Sequence, residues 1–252
     1  MSTFRPSVDL FRDRADAGRR LAALVTDLRG ADPVVLGLPR GGVPVAAEVA
    51  KALGATLDVV VAHKLGAPFQ PELAMGAVGE GGVLVVDDLT VRACRVTQDE
   101  LAAAETHEER EVARRASRFR AGHEPVPLDG RTAVVVDDGV ATGATARAAC
   151  LAARARGAAR VVLAVPVCAA DTAVALRQAC DSVRCVLRPG HLRSVGEWYE
   201  QFPQVSEDEV LAVLRAAGDP AAADHGSPEA PGPGAPRRQG PGQDARRTGR
   251  SG

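Results

Sequence analysis

The sequence predicts an α/β protein: an open, mainly parallel sheet flanked by helices, with a helical insertion and a disordered C-terminal tail. Three observations carry that expectation. Short apolar runs rich in β-branched residues, at 33–37, 57–62, 133–136, 160–165 and 182–187, are interleaved with alanine- and leucine-rich stretches of helical period. Repeats of strand and helix build a parallel sheet with helices on both faces. A strongly charged stretch at 97–120 interrupts the alternation, and from residue 218 the composition turns to Pro, Gly, Ala, Ser and Arg without period. One domain over 10–217, an insertion or lid at 97–120 and a tail at 218–252 account for the 252 residues.

Composition narrows the function classes. The chain is 46% hydrophobic and 25% charged, ordinary for a globular protein, and its net charge of -1 argues against a nucleic-acid-binding surface. Five cysteines, with no Cys-x-x-Cys spacing, suggest neither a disulfide framework nor a zinc site. The opening MSTFRPSVDLFRDR lacks the apolar stretch of a signal peptide, and no apolar run reaches membrane-spanning length. A cytoplasmic protein with no membrane partner is the expectation. Only Lys51 and Lys64 are lysines; every other basic residue is arginine.

Taken in order, residues 13–28 read as the first helix, with Ala17, Leu21, Leu24 and Leu28 on one stripe. Asp13, Arg14 and Asp16 precede the stripe and read as a solvated first turn. A strand at 33–37 leads through Leu38-Pro39-Arg40-Gly41-Gly42 into a helix at 43–53, with Pro44 in its first turn. Gly41 and Gly42 can expose consecutive N–H groups and Arg40 adds a bidentate fork, which suits a pyrophosphate. The spacing of Gly37, Gly41 and Gly42 does not fit G-x-G-x-x-G, and no G-x-x-x-x-G-K-[ST] occurs. The strand at 57–62 ends at His63-Lys64, with 65–72 as loop. Lys64 then stands just past a strand's C-terminal end, the edge where open α/β sheets bind ligands. His63 reads as structural, and Glu72 as a partner for Lys64 or an arginine. Residues 76–79 and 82–86 form a hairpin about Glu80-Gly81, and Asp87-Asp88 reads as turn chemistry. Thr97-x-x-Glu100 is a capping box that opens a charged helix to about 119, either solvated or laid across the ligand edge as a lid.

The stretch 131–149, RTAVVVDDGVATGATARAA, holds the densest signal. A buried strand ends in Asp137-Asp138, a loop of small residues follows (Gly139, Val140, Ala141, Thr142, Gly143, Ala144, Thr145), and a helix begins. Unpaired N–H groups and the macrodipole at a helix N-terminus favour a phosphate. Gly143 permits close backbone approach, and the hydroxyls of Thr142 and Thr145 can add bonds. This pattern resembles the phosphoribosyl pyrophosphate signature of the type I phosphoribosyltransferases, and FRDRADAGRRLA resembles, more weakly, the N-terminal signature of an uncharacterised bacterial branch of them, in which Arg14 would point into the site.

The resemblance implies a type I phosphoribosyltransferase-like fold over roughly 10–215 and displacement of pyrophosphate from magnesium-bound phosphoribosyl pyrophosphate by an acceptor. Asp137 and Asp138 would hold the ribose hydroxyls and orient Mg2+ through water. The loop 139–145 would anchor the 5′-phosphate, while Pro39, Arg40, Gly41, Gly42 and Lys64 would take the pyrophosphate. Homodimers are common in the family. Its 6-oxopurine enzymes carry an acid where this chain has Ala141, so hypoxanthine or guanine is put in doubt as acceptor; the adenine enzymes share the alanine, but no adenine-specific segment accompanies it here. Trp198 and Tyr199 either pack the C-terminal segment onto the sheet or wall an acceptor pocket. The alternatives to a transferase are a non-catalytic sensor of phosphoribosyl pyrophosphate or a nucleotide, and a different phosphate-handling enzyme, for which no positioned nucleophile or base is legible.

Overall fold

A computed structural model of the protein describes residues 10–121 and 123–218, apart from the side chains of residues 71, 72 and 218. Glu72 as a partner for Lys64 and the tail beyond 218 therefore lie outside the described residues.

Helix α1 (Arg14–Ala22) opens at Asp13, whose side chain accepts from the Asp16 N–H. The expected single helix over 13–28 stops at Ala22, and a short 3-10 turn follows at Thr26–Leu28. Val25 and Thr26 are β-branched and Asp27 competes for backbone bonds, so the sequence there disfavours continued helix. Ala17, Leu21 and Leu28 are buried as expected, whereas Leu24 is 39% exposed. Strand β1 (Pro33–Gly37) leads to α2 (Gly42–Leu53), which Gly54 closes in the left-handed conformation. Strand β2 (Thr56–Val59) is shorter than the 57–62 expected, because the chain leaves the main sheet there. It pairs again as β3 (Ala62–Ala67), β4 (Gln70–Gly79) and β5 (Val83–Val86), an antiparallel sheet of its own. Residues 65–72, expected as loop, are thus mostly strand. Gly66, Pro68 and Pro71 suggested a break, but Pro68 falls in the turn, and register shifts after Leu65 and Gly66 absorb the irregularity.

Helix α3 (Asp88–Ala93) is capped by Asp87, which accepts from the N–H groups of Leu89 and Thr90. The expected capping box opens α4 (Gln98–Arg120). Strand β6 (Thr132–Val136), α5 (Ala144–Ala155), β7 (Arg160–Val167), α6 (Ala170–Leu176), β8 (Ser182–Leu187) and α7 (Glu207–Gly218) complete the order.

The main sheet is wholly parallel, in the order β2-β1-β6-β7-β8. Side chains alternate between its faces. Val35, Val134 and Val162 pack with Leu21, Val45 and Val49 of α1 and α2, and Leu36, Val135 and Leu163 pack with Ala149 and Leu176 of α5 and α6. Chain order reverses between β1 and β6, so their carboxyl ends open side by side at a topological switch point, where sheets of this kind bind ligands.

The small sheet is sandwiched. Its Ala77 and Val85 face α5, and Val78 faces Val112, Ala116 and Phe119 of α4. A Cβ on Gly79 would lie 3.0 Å from the Ala148 carbonyl, which shows how closely β4 approaches α5. The end of α4 is fixed by Arg120, which pairs with Asp58 at 3.2 Å and with Glu80 at 3.0 Å and donates to the Val59 carbonyl at 2.8 Å. His63 pairs with Glu108 of the same helix, a structural role as expected. The helix at 97–120 buttresses the small sheet, and none of its residues lines the cavities beside the loops that follow β1 and β6.

Candidate functional site

Two loops meet at the switch point. The loop after β1 is tied to the end of β6 where the Leu38 N–H donates to the Val136 carbonyl at 2.8 Å. It then passes so close to the acid pair that side chains are excluded. A Cβ on Gly41 would lie 1.9 Å from Asp138 Oδ2, and one on Gly42 would lie 2.6 Å from the Val136 carbonyl oxygen. These glycines are required by their neighbours, since neither has a positive φ. The expectation that both expose N–H groups is corrected at Gly42, whose N–H donates to the Leu38 carbonyl at 2.9 Å. The N–H groups of Arg40 and Gly41 have no partner among the described residues. The Pro39–Arg40 peptide is cis, and both residues are half-buried. Arg40 and Gly41 line a cavity of about 320 Å3 with Arg14, Phe202 and Gln204.

Asp137 and Asp138 directly follow β6, each with one oxygen bonded to its neighbour's backbone or outside the pair. Asp137 Oδ1 accepts the Asp138 N–H at 2.8 Å, and Asp138 Oδ2 accepts from Arg14 Nε at 2.9 Å. The two carboxyls also share a side-chain hydrogen bond, Asp137 donating to Asp138, so the pair meets a ligand's hydroxyls or a hydrated cation as one joined acid cluster. Burial pushes both carboxyls above the ordinary range, Asp137 well above because the Asp138 charge adds to desolvation, while Arg14 opposes the rise at Asp138. A hard cation or a diol donating to these oxygens would offset that cost.

The loop from Gly139 is anchored on its outer side. The Val140 N–H donates to the Val167 carbonyl at 2.8 Å and the Val140 side chain is buried, so the expectation that Val140 binds the phosphate is corrected: it has no free donor to offer. A Cβ on Gly139 would lie 2.5 Å from Val195 Cγ1. Thr172 Oγ1 donates to the Ala141 carbonyl at 2.8 Å. Gly143 has φ +84, the left-handed region that favours glycine, and it caps α5. The helical hydrogen bonding opens with the Arg147 N–H donating to the Gly143 carbonyl at 2.8 Å. Ala144, Thr145 and Ala146 therefore present the unpaired N–H groups of a 12-residue helix. Thr142 is exposed and Thr145 half-buried at that end. Lys64 is not in a loop: it sits on β3 opposite Ala77 and lines a cavity of about 690 Å3 with Thr142, Gly143, Ala144 and Arg147. It thus stands at the Thr142–Ala144 side, while Arg40 faces the smaller cavity.

Two side chains for which the sequence left two roles open support the acid pair. Arg14, expected on balance in a solvated turn and, by the weaker resemblance, pointing into the site, is 9% exposed and bonded to Asp138. The available signal was a cation at the first position of a helix, where the macrodipole disfavours it. Tyr199 packs between Phe11 and Phe202, with ring centroids at 5.2 and 4.8 Å, and its hydroxyl donates to the Asp138 carbonyl at 2.6 Å. Of the two roles expected for it, packing of the C-terminal segment is the one it fills. Burial raises the Tyr199 phenol, so the hydroxyl stays protonated as a donor.

Among the described residues no helix is long and apolar enough to cross a membrane, and the five cysteines are free thiols.

Residues 9–200 match the family model described as phosphoribosyl transferase domain. A protein of Mycobacterium tuberculosis, named provisionally as a phosphoribosyl transferase, is 54% identical over 215 residues, 85% of this chain and 48% of that protein. The chain spans about half the length of the curated relatives it matches. The crystal structure of TT1426 from Thermus thermophilus is similar at 42% identity and a TM-score of 0.69, covering 81% of this chain and 97% of that one.

Proposed function

The chain belongs to the phosphoribosyltransferase family, and from that membership we propose that it displaces pyrophosphate from magnesium-bound phosphoribosyl pyrophosphate with a nitrogen nucleophile as acceptor. The observation that carries the reading is the convergence of the adjacent Asp137 and Asp138 carboxyls with the unpaired N–H end of α5 at one switch point. In this reading the 5′-phosphate sits on the N–H groups of 144–146 with the hydroxyls of Thr142 and Thr145. The carboxyls of Asp137 and Asp138 take the ribose hydroxyls. The N–H groups of Arg40 and Gly41, with the Arg40 fork, take the pyrophosphate, and Lys64 adds positive charge from the small sheet.

As the bond to pyrophosphate lengthens, positive charge grows on the ribose ring and negative charge on the leaving group. The acid pair faces the first and Arg40 the second, so the chain's contribution is positional and electrostatic. A magnesium ion brought with the donor would neutralise charge on the pyrophosphate, and carboxylate oxygens with room for water suit that ion. Ala141 offers no carboxylate to an acceptor ring, which supports an acceptor other than hypoxanthine or guanine.

The test is calorimetric titration with phosphoribosyl pyrophosphate, with and without magnesium. Pyrophosphate release is then followed against purine, pyrimidine and pyridine bases and small amines. Magnesium-dependent binding with release for one acceptor is the expected result. Absence of binding would overturn the reading, and binding without release for any acceptor would favour the sensor.

A further inference from the structure

Arg14 is held on three sides. Its Nε donates to Asp138 Oδ2 at 2.9 Å, one terminal nitrogen donates to the Pro203 carbonyl at 2.7 Å, and its guanidinium carbon lies 3.8 Å from the centroid of the Phe202 ring. Phe202 packs against Tyr199, and Tyr199 donates to the backbone carbonyl of Asp138. The contacts close a ring: Arg14 to the Asp138 carboxylate, along Asp138 to its carbonyl, through Tyr199 and Phe202, and back to Arg14. Residues 14, 138 and 199–203 are far apart in sequence, so this ring ties both ends of the domain to one acid. A bare packing role would not need a guanidinium in an almost buried place, since charge there is costly unless paired.

Resting on the reading above, we infer that Arg14 is a positioning residue for the ribose-side acid: it holds Oδ2 of Asp138, leaves Oδ1 clear of the guanidinium, and couples that orientation to the segment Tyr199–Pro203. The planar fork matters as well as the charge. Nε and a terminal nitrogen point to two different acceptors while the flat face lies on Phe202, a combination that an ammonium cannot reproduce. A second consequence concerns the acceptor. One face of Phe202 is covered by Arg14, and Tyr199 packs on the same ring, so the C-terminal segment acts through the acid pair instead of offering this ring for an acceptor to stack upon.

The experiment compares wild type, Arg14→Lys and Arg14→Ala by calorimetric titration with magnesium phosphoribosyl pyrophosphate, with thermal midpoints measured alongside. The Ala variant is also titrated in the presence of methylguanidinium. Loss of a charge-assisted bond predicts affinity about tenfold to hundredfold weaker in both variants. Methylguanidinium should recover most of the loss in Arg14→Ala, while the Lys variant should keep a near wild-type midpoint and still bind weakly. Wild-type affinity in Arg14→Lys would overturn the inference. So would a loss in Arg14→Ala that methylguanidinium leaves unchanged and that follows a lowered midpoint. If Arg14→Ala does not fold, the Lys variant decides. Failure of the wild type itself to bind would instead overturn the functional reading on which the inference rests.

Discussion

The loops after β1 and β6 are built to one plan, strand to glycine turn to helix, yet their glycines answer different constraints. Gly41 lacks a side chain because Asp138 occupies the space a Cβ would take, at 1.9 Å. Gly143 lacks one because its backbone is left-handed, with Thr172 Cγ2 closing over it at 2.8 Å. The first glycine is dictated by a neighbour across the switch point, the second by its own φ. The difference teaches that the β1 loop is shaped by the acid pair it leans upon, whereas the β6 loop is shaped by the helix it starts.

That contrast can be broken by substitution. Gly41→Ala should have the largest effect. Backbone faces the carboxylate, so either the loop or Asp138 must move, with affinity for phosphoribosyl pyrophosphate expected to fall at least about a hundredfold. Adding Asp138→Ala should relieve the clash and recover the thermal midpoint only in part, because it leaves the buried Arg14 without its partner, and it should not restore binding. Gly143→Ala comes next. The left-handed backbone costs roughly 1–2 kcal/mol for a residue with a Cβ, and the contact with Thr172 adds to it. Pairing it with Thr172→Ser removes the Cγ2 contact and keeps the hydroxyl, so the midpoint should recover in part and leave the backbone term. If the pair recovers fully, φ is not the constraint at Gly143. Tyr199→Phe should be the mildest, removing one hydrogen bond to Asp138 at about 1 kcal/mol, with about fivefold weaker binding and a nearly unchanged fold. Equal losses at Gly41 and Gly143, relieved by the same second change, would dissolve the comparison.

What the sequence made legible follows the same division. The β6 loop was readable because every requirement is local: β-branched strand, acids, a glycine at the turn and a helix start lie within 131–149. The parallel sheet was readable because each central strand is buried on both faces and so reads as a continuous apolar run. The small sheet was half legible. Its second hairpin has Glu80-Gly81 at the turn, but β3 and the start of β4 carry Gly66, Pro68 and Pro71, whose local signals favour loop over the tertiary pairing that prevails. Lys64 was accordingly placed in a loop. Arg14 and Tyr199 were least legible, since their roles rest on contacts with Asp138 across 124 and 61 residues of sequence. The stretch FRDRADAGRRLA pointed to Arg14 by resemblance, but no local pattern names the acid it meets. Leu24 was misjudged for a simpler reason, because the helical stripe that included it ends before it.

The central claim, that the carboxyls of Asp137 and Asp138 receive a magnesium-bound ribosyl donor, is tested most directly in the double variant Asp137→Asn, Asp138→Asn. Amides keep the shape and remove both charges. Burial raises both carboxyls in the folded state, so their ionised forms cost stability at neutral pH, and that cost is relieved as pH falls through the raised values. The double variant should therefore melt no lower than wild type at pH 7, apart from what loss of the Arg14 pairing removes, and it should show no magnesium-dependent binding of phosphoribosyl pyrophosphate by calorimetry. Unchanged affinity in a folded double variant would contradict the account.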